Sequence, residues 1–242
     1  MAEALLWGMF ASSALIVGGA VAIWLPVGFR TLGLVMAFGA GVLISAVAFE
    51  LVEDAFETSG DRSWVLGLFA GALVFFVGDA LIDRMGGADR KHSGGAQQSG
   101  SALAIVLGIV LDGVPESMVL GLTVLEEGSV SVAFLAAVFL SNVPEAVAAT
   151  SGLTTAGWAR RHVFGLWGLV TVVCGVASLA GYALFDAASP ATIAFVLAFA
   201  GGAILTMLAD TMMPEAYEHG GKLVGLCTTL GFALAFTLSV LE

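Results

Sequence analysis

The 242-residue chain is 59% hydrophobic with a mean hydropathy of +1.03, and only 11% of its residues are charged. Those values exclude an ordinary soluble domain. A soluble helical bundle would need polar faces recurring along each apolar segment, a pattern these segments lack. The formal net charge is −11, and no nucleic-acid partner is expected.

Apolar stretches long enough to cross a bilayer core of about 30 Å number eight: Leu5–Leu25, Thr31–Leu51, Trp64–Leu81, Leu103–Thr123, Val130–Thr150, Val163–Phe185, Thr192–Met213 and Leu223–Leu241. Only Glu3 and no Lys or Arg precedes the first. A cleavable signal peptide starts basic and has a shorter apolar run, so this segment reads as a spanning helix. Gly is dense throughout, as expected where helices pack closely in lipid. The linker Asp83–Ser101 is rich in Gly, Ser and Gln, carries Arg90-Lys91-His92, and reads as flexible and cytoplasmic. It divides one transmembrane domain (1–242) into helices 1–3 (about 5–82) and helices 4–5 (about 102–152) with 6–8 (about 163–241). Cys174 and Cys227 fall inside spans without metal-ligand spacing and read as small apolar residues.

With eight spans both termini share a side. That side holds Arg62 alone, whereas the opposite side holds Arg30, Arg84, Arg90, Lys91, Arg160, Arg161 and Lys222. The positive-inside rule therefore places both termini outside the cytoplasm of the cell (inner) membrane. Glu53, Asp54, Glu57, Asp61, Glu126 and Glu127 gather on the outer side, where they either focus cations or simply solvate the surface.

The segment Ala37–Ser45 in span 2 resembles Ala198–Thr206 in span 7, and the offset of 161 persists from Asp54-Ala55 to Glu215-Ala216. Spans 2 and 7 cross in opposite senses, so the pair reads as inverted repeats, with spans 1–3 matching 6–8 and a central pair between.

That central pair carries the chemistry. Asp112-Gly113-Val114-Pro115-Glu116 and Ser141-Asn142-Val143-Pro144-Glu145 lie 29 positions apart on consecutive spans. Residues four apart share a helix face, which sets Asp112 beside Glu116 and Ser141 beside Glu145. Pro115 cannot donate to Leu111, nor Pro144 to Leu140, so each proline frees a carbonyl oxygen nearby. Ionisable groups at membrane depth face bundle interiors or water-filled paths. An oxygen-rich set of this kind suits a divalent cation.

Together with the span-7 ending Asp210-Thr211-Met212-Met213-Pro214-Glu215-Ala216-Tyr217-Glu218-His219, the paired Pro-Glu motifs resemble the ZIP (Zrt/Irt-like protein) family of metal-ion transporters over essentially the whole chain. The resemblance implies eight helices arranged 3+2+3 and a binuclear metal site between helices 4 and 5. It also implies carriage of zinc, iron, manganese or cadmium toward the cytoplasm, and often a homodimer. It points to no enzyme activity and no organic cofactor; the lipid bilayer and metal ions are the partners implied. Family members usually read His-Asn-x-Pro-Glu-Gly at the first motif, where this chain has Asp112, Gly113 and Ser117. Ser141 and Asn142 stand where the second motif usually has a ligand followed by Asn, Asp or Glu, and Thr171 stands where many members have an acidic bridge. Glu116 and Glu145 match the motifs, Asn142 fits, and Asp112 substitutes a ligand.

Replacing imidazole by carboxylate and hydroxyl hardens the site toward Mn²⁺, Fe²⁺ or Mg²⁺, while the family resemblance favours Zn²⁺; Cd²⁺ stays an alternative. Gly113 and Thr171 imply one central ion rather than two. Glu50 and Asp210 are candidate gates, and Glu215, Glu218 and His219 a candidate exit, with solvated helix ends the competing explanation. Two other classes are weighed. One is a ZIP-like protein that binds or senses metal, or another ligand, without transport. The other is an intramembrane hydrolase, for which Phe76-Val77-Gly78-Asp79 lacks the Gly-x-Gly-Asp pattern.

Overall fold

The computed structural model describes residues 1–25, 27–59, 62–87 and 102–241, and no strand occurs among them. Its helices are α1 (Ala2–Trp24), α2 (Phe29–Ala46), α3 (Glu53–Ser59), α4 (Ser63–Ile82), α5 (Ala102–Glu127), α6 (Val132–Thr155), α7 (Arg160–Leu184), α8 (Pro190–Met207), α9 (Met213–Gly220) and α10 (Val224–Leu241). Seven helical runs among the described residues are long and apolar enough to cross a membrane. The last, Pro190–Leu241, is 52 residues long and covers both the seventh and the eighth expected segments. A straight helix of that length would extend about 78 Å, more than twice a bilayer core.

The chain instead turns back within this run. His219 lies over Gly33 and Met212 over Gly39, so α9 descends antiparallel to α2. Thr228 lies over Gly41, and the Phe236 ring sits 4.7 Å from that of Phe49, so α10 rises parallel to α2. The reversal falls at Gly220–Leu223, where Gly221 takes φ 62° and ψ −146°, backbone that a Cβ would strain.

Expected and observed boundaries differ where charge ends a membrane span without ending a helix. Span 2 is expected to stop at Leu51, yet a π-helical turn over Val47–Val52 carries the helix on into α3 despite Glu53 and Asp54. Carboxylates are costly in lipid but compatible with helical backbone. Asp83–Gly87 likewise extends α4 until Gly86, at φ 94°, turns the chain. The rest of the expected linker, 88–101 with Arg90, Lys91 and His92, lies outside the described residues, as does Asp61.

Two seams of glycine hold pairs of helices at backbone contact. A Cβ at Gly71 of α4 would run into the carbonyl of Phe199, and one at Gly202 of α8 into that of Leu68. On the other seam, a Cβ at Gly231 of α10 would meet the carbonyl of Phe38, and one at Gly41 of α2 that of Thr228. The offset of 161 relates Phe38 to Phe199 and Gly41 to Gly202. It also relates the π turn at Val47–Val52 to the one at Leu208–Met212.

A second bundle forms from α1, α5, α6 and α7. The Ser178 hydroxyl donates to Ala4 O at 2.7 Å and that of Thr171 to Ser12 O at 3.3 Å, stitching α7 to α1. Phe10 of α1 stacks on Phe139 of α6 at 5.4 Å. A Cβ at Gly121 would strike Ser178 O, so α5 and α7 also touch through backbone. Small residues at such crossings replace the hydrophobic drive that lipid removes.

Candidate functional site

Pro115 and Pro144 each lie near the middle of a long helix, α5 and α6, and the helix runs on through both. The motif carboxylates therefore sit at mid-length, far from either helix end. Asp112, Gly113 and Glu116 of α5 and Asn142 and Glu145 of α6 line one cavity of about 20 Å³. Leu15 of α1 and Trp167 and Cys174 of α7 close its walls. That volume holds about one water or one ion.

The polar lining is deeply buried: Glu116 is 3% exposed, Asp112 5%, Asn142 6% and Glu145 8%. Ionised carboxylates at such depth are costly unless protons or a cation offset their charge. The wall is itself fixed. Trp167 donates its indole N–H to Thr150 Oγ1 of α6 at 2.9 Å, and its ring fits because Gly19 has no Cβ; one would stand 2.8 Å from it. Among the described residues, no three His, Cys, Asp or Glu side chains are gathered closely enough to hold a metal ion as they stand. The acids face the cavity from its wall rather than converging on one point.

Other sequence candidates lie elsewhere. Ser141 is fully buried, and its hydroxyl donates back to Val138 O at 3.0 Å. Thr171 shares its one hydroxyl proton between Trp167 O at 2.8 Å within α7 and Ser12 O of α1 at 3.3 Å. Glu50, in the first π turn, accepts a hydrogen bond from Ser131 Oγ at 2.9 Å, and Ser131 also caps α6 by accepting from Phe134 N at 3.1 Å. Asp210 is exposed in the second π turn, and Glu218 is exposed on α9. Glu215 is buried, with His219 Nε2 3.4 Å from its Oε1, and the His219 ring stacks on Phe29 at 5.1 Å. None of these seven candidates (Ser141, Thr171, Glu50, Asp210, Glu215, Glu218 and His219) lines the central cavity. Of the acidic residues expected outside, Asp54, Glu57 and Glu126 line a separate cavity of about 260 Å³.

The residue that sequence reasoning placed differently is Cys174. Its sulfur faces the central cavity, 3.7 Å from Gly113 O. Only the register of α7 against α5 puts it there, and no motif spacing carries that information.

Fold and site together define an integral membrane protein, all-helical in its described residues, with a buried acidic cavity inside one helix bundle. No family model matches the chain. It is similar to a protein of Arabidopsis thaliana described as a putative zinc transporter, with 25% identity over 215 residues. The alignment covers 86% of this chain and 34% of the relative, so the chain spans about a third of that protein's length.

Proposed function

We propose that the protein carries a divalent transition-metal ion across the cell membrane, with the acidic cavity of α5 and α6 as the ion's station. One observation carries this: three carboxylates and an amide, all more than nine-tenths buried, share a cavity the size of a single ion. Asp112, Glu116 and Glu145 are the charged ligands and Asn142 a neutral one; Ser141, one turn before Glu145, donates its proton to Val138 O and keeps its oxygen lone pairs for an ion. Zinc is the first candidate substrate, from the motif resemblance and the relative's description, with Fe²⁺, Mn²⁺ and Cd²⁺ as alternatives.

The chain crosses eight times, since α8–α9 and α10 run oppositely along α2. Spans 1–3 and 6–8 form inverted repeats about the central pair, a 3+2+3 arrangement. The matched glycine seams and π turns at one offset support it. Seven of eight basic residues lie on one side, so both termini face outward. All four helices lining the cavity belong to one bundle, and transport is alternating access in which that bundle shifts against the other.

Isothermal titration of detergent-purified protein with Zn²⁺, Mn²⁺, Fe²⁺ and Cd²⁺ tests the site. We expect one ion per chain, lost in Glu116→Gln and in Glu145→Gln. Binding that survives both substitutions together would place the ion elsewhere.

A further inference from the structure

We propose that Cys174 is a sulfur ligand of the same cavity, turning an oxygen-only set into a mixed oxygen–sulfur site that prefers Zn²⁺ and Cd²⁺ to Mn²⁺. The proposal rests on the reading of the cavity as the ion's station. Three observations carry it. Cys174 lines the cavity with Asp112, Glu116 and Glu145, and its Sγ lies 3.7 Å from Gly113 O on the same wall. The side chain is 1% exposed, closed off from other chemistry. Finally, α5 makes room for it: a Cβ at Gly113 would stand 3.0 Å from Sγ, tighter than most real contacts.

The last point joins two departures from the resembled motif. Where the motif has Asn, this chain has Gly113, and the vacated space is filled by sulfur from a different helix. Chemistry favours the exchange. Thiolate binds Zn²⁺ at about 2.3 Å and suits soft and borderline ions, whereas carboxylates alone suit Mn²⁺ and Mg²⁺. On binding, the S–H bond breaks, the sulfur keeps the electron pair and donates it to the metal, and the proton leaves to water.

Cd²⁺ is the probe, because thiolate coordination gives a ligand-to-metal charge-transfer band in the ultraviolet. The proteins are wild type, Cys227→Ser, Cys174→Ser and Glu145→Gln, each purified in detergent, with metal-free thermal unfolding as the folding control. We expect the band in wild type and in Cys227→Ser, and none in Cys174→Ser. Cd²⁺ affinity should fall by at least about tenfold in Cys174→Ser, with Mn²⁺ affinity changing far less. Cys227→Ser retains Cys174 as its only thiol, so it answers even if Cys174→Ser unfolds. Cd²⁺ bound to Cys227→Ser without the band, but lost in Glu145→Gln, would overturn the sulfur ligand and leave the carboxylate site standing. Cd²⁺ binding indifferent to Glu145→Gln would overturn the cavity reading, and this proposal with it.

Discussion

Gly71→Ala is predicted to destabilise the protein by about 3 kcal/mol, and Gly231→Ala by a similar amount. At either position the new methyl runs into a backbone carbonyl, of Phe199 or of Phe38, which cannot swing aside as a side chain can. Ordinary carbon–oxygen contact would require the helices to part by about 1 Å or more. A gap of that size forfeits up to half of each dispersion contact. Over about 40 atom pairs at ~0.15 kcal/mol each, the loss reaches ~3 kcal/mol. That matches the upper part of the usual range for overpacking, about 1–3 kcal/mol. The control is Gly165→Ala on α7, where an added Cβ meets nothing within 4 Å and helix propensity favours alanine. Reversible unfolding in mixed micelles with increasing denaturing detergent measures all three. If Gly71→Ala unfolds at the same detergent fraction as Gly165→Ala, the backbone contact between α4 and α8 does not exist as described. Unequal losses at Gly71 and Gly231 would count against the equivalence of the two seams.

Three further outcomes are expected. Gly113→Asn should weaken Cd²⁺ binding by crowding the Cys174 sulfur, and adding Cys174→Ala should relieve the crowding; thermal unfolding of the metal-free single and double variants reads the relief directly. In a background lacking both cysteines, Ala156→Cys should react with an impermeant thiol reagent only in inside-out vesicles and Ser129→Cys only in intact cells, which checks the orientation. Trp167→Phe removes the indole donor to Thr150 and should cost about 1 kcal/mol in unfolding free energy, as a buried hydrogen bond left half-made does.

Much of this architecture was legible in the chain because lipid imposes a simple rule on long apolar stretches. Segments such as Trp64–Leu81 and Leu103–Thr123 needed only length and hydropathy to be placed within helices α4 and α5. The offset of 161 also pointed to Gly41 and Gly202 before their shared role against Thr228 and Leu68 was visible. What the sequence hid depends on register. The π turns at Val47 and Leu208 add a residue without any local composition cue, and so rotate Glu50 and Asp210 away from where a regular helix would aim them. Asp112 and Glu116 were legible as a pair because four residues make one turn. Cys174 was not, since its place beside Gly113 is fixed by the crossing of α5 and α7, which the glycine contacts at Gly121 and Gly181 determine. Ser141 has the spacing to Glu145 that the sequence shows, but the donation of its hydroxyl to Val138 O is visible only in the structure.

The central claim is that the acidic cavity passes metal through the membrane, and ion uptake by reconstituted vesicles tests it most directly. Purified wild type and the Glu116→Gln/Glu145→Gln double variant are placed in liposomes enclosing a metal-sensitive dye, and Zn²⁺ is added outside. The account predicts saturable dye response with wild type and a response equal to empty liposomes with the double variant, both proteins being folded and inserted to the same extent. Wild-type vesicles no more permeable to Zn²⁺, Mn²⁺, Fe²⁺ or Cd²⁺ than empty liposomes would contradict transport. A double variant as fast as wild type would contradict the cavity.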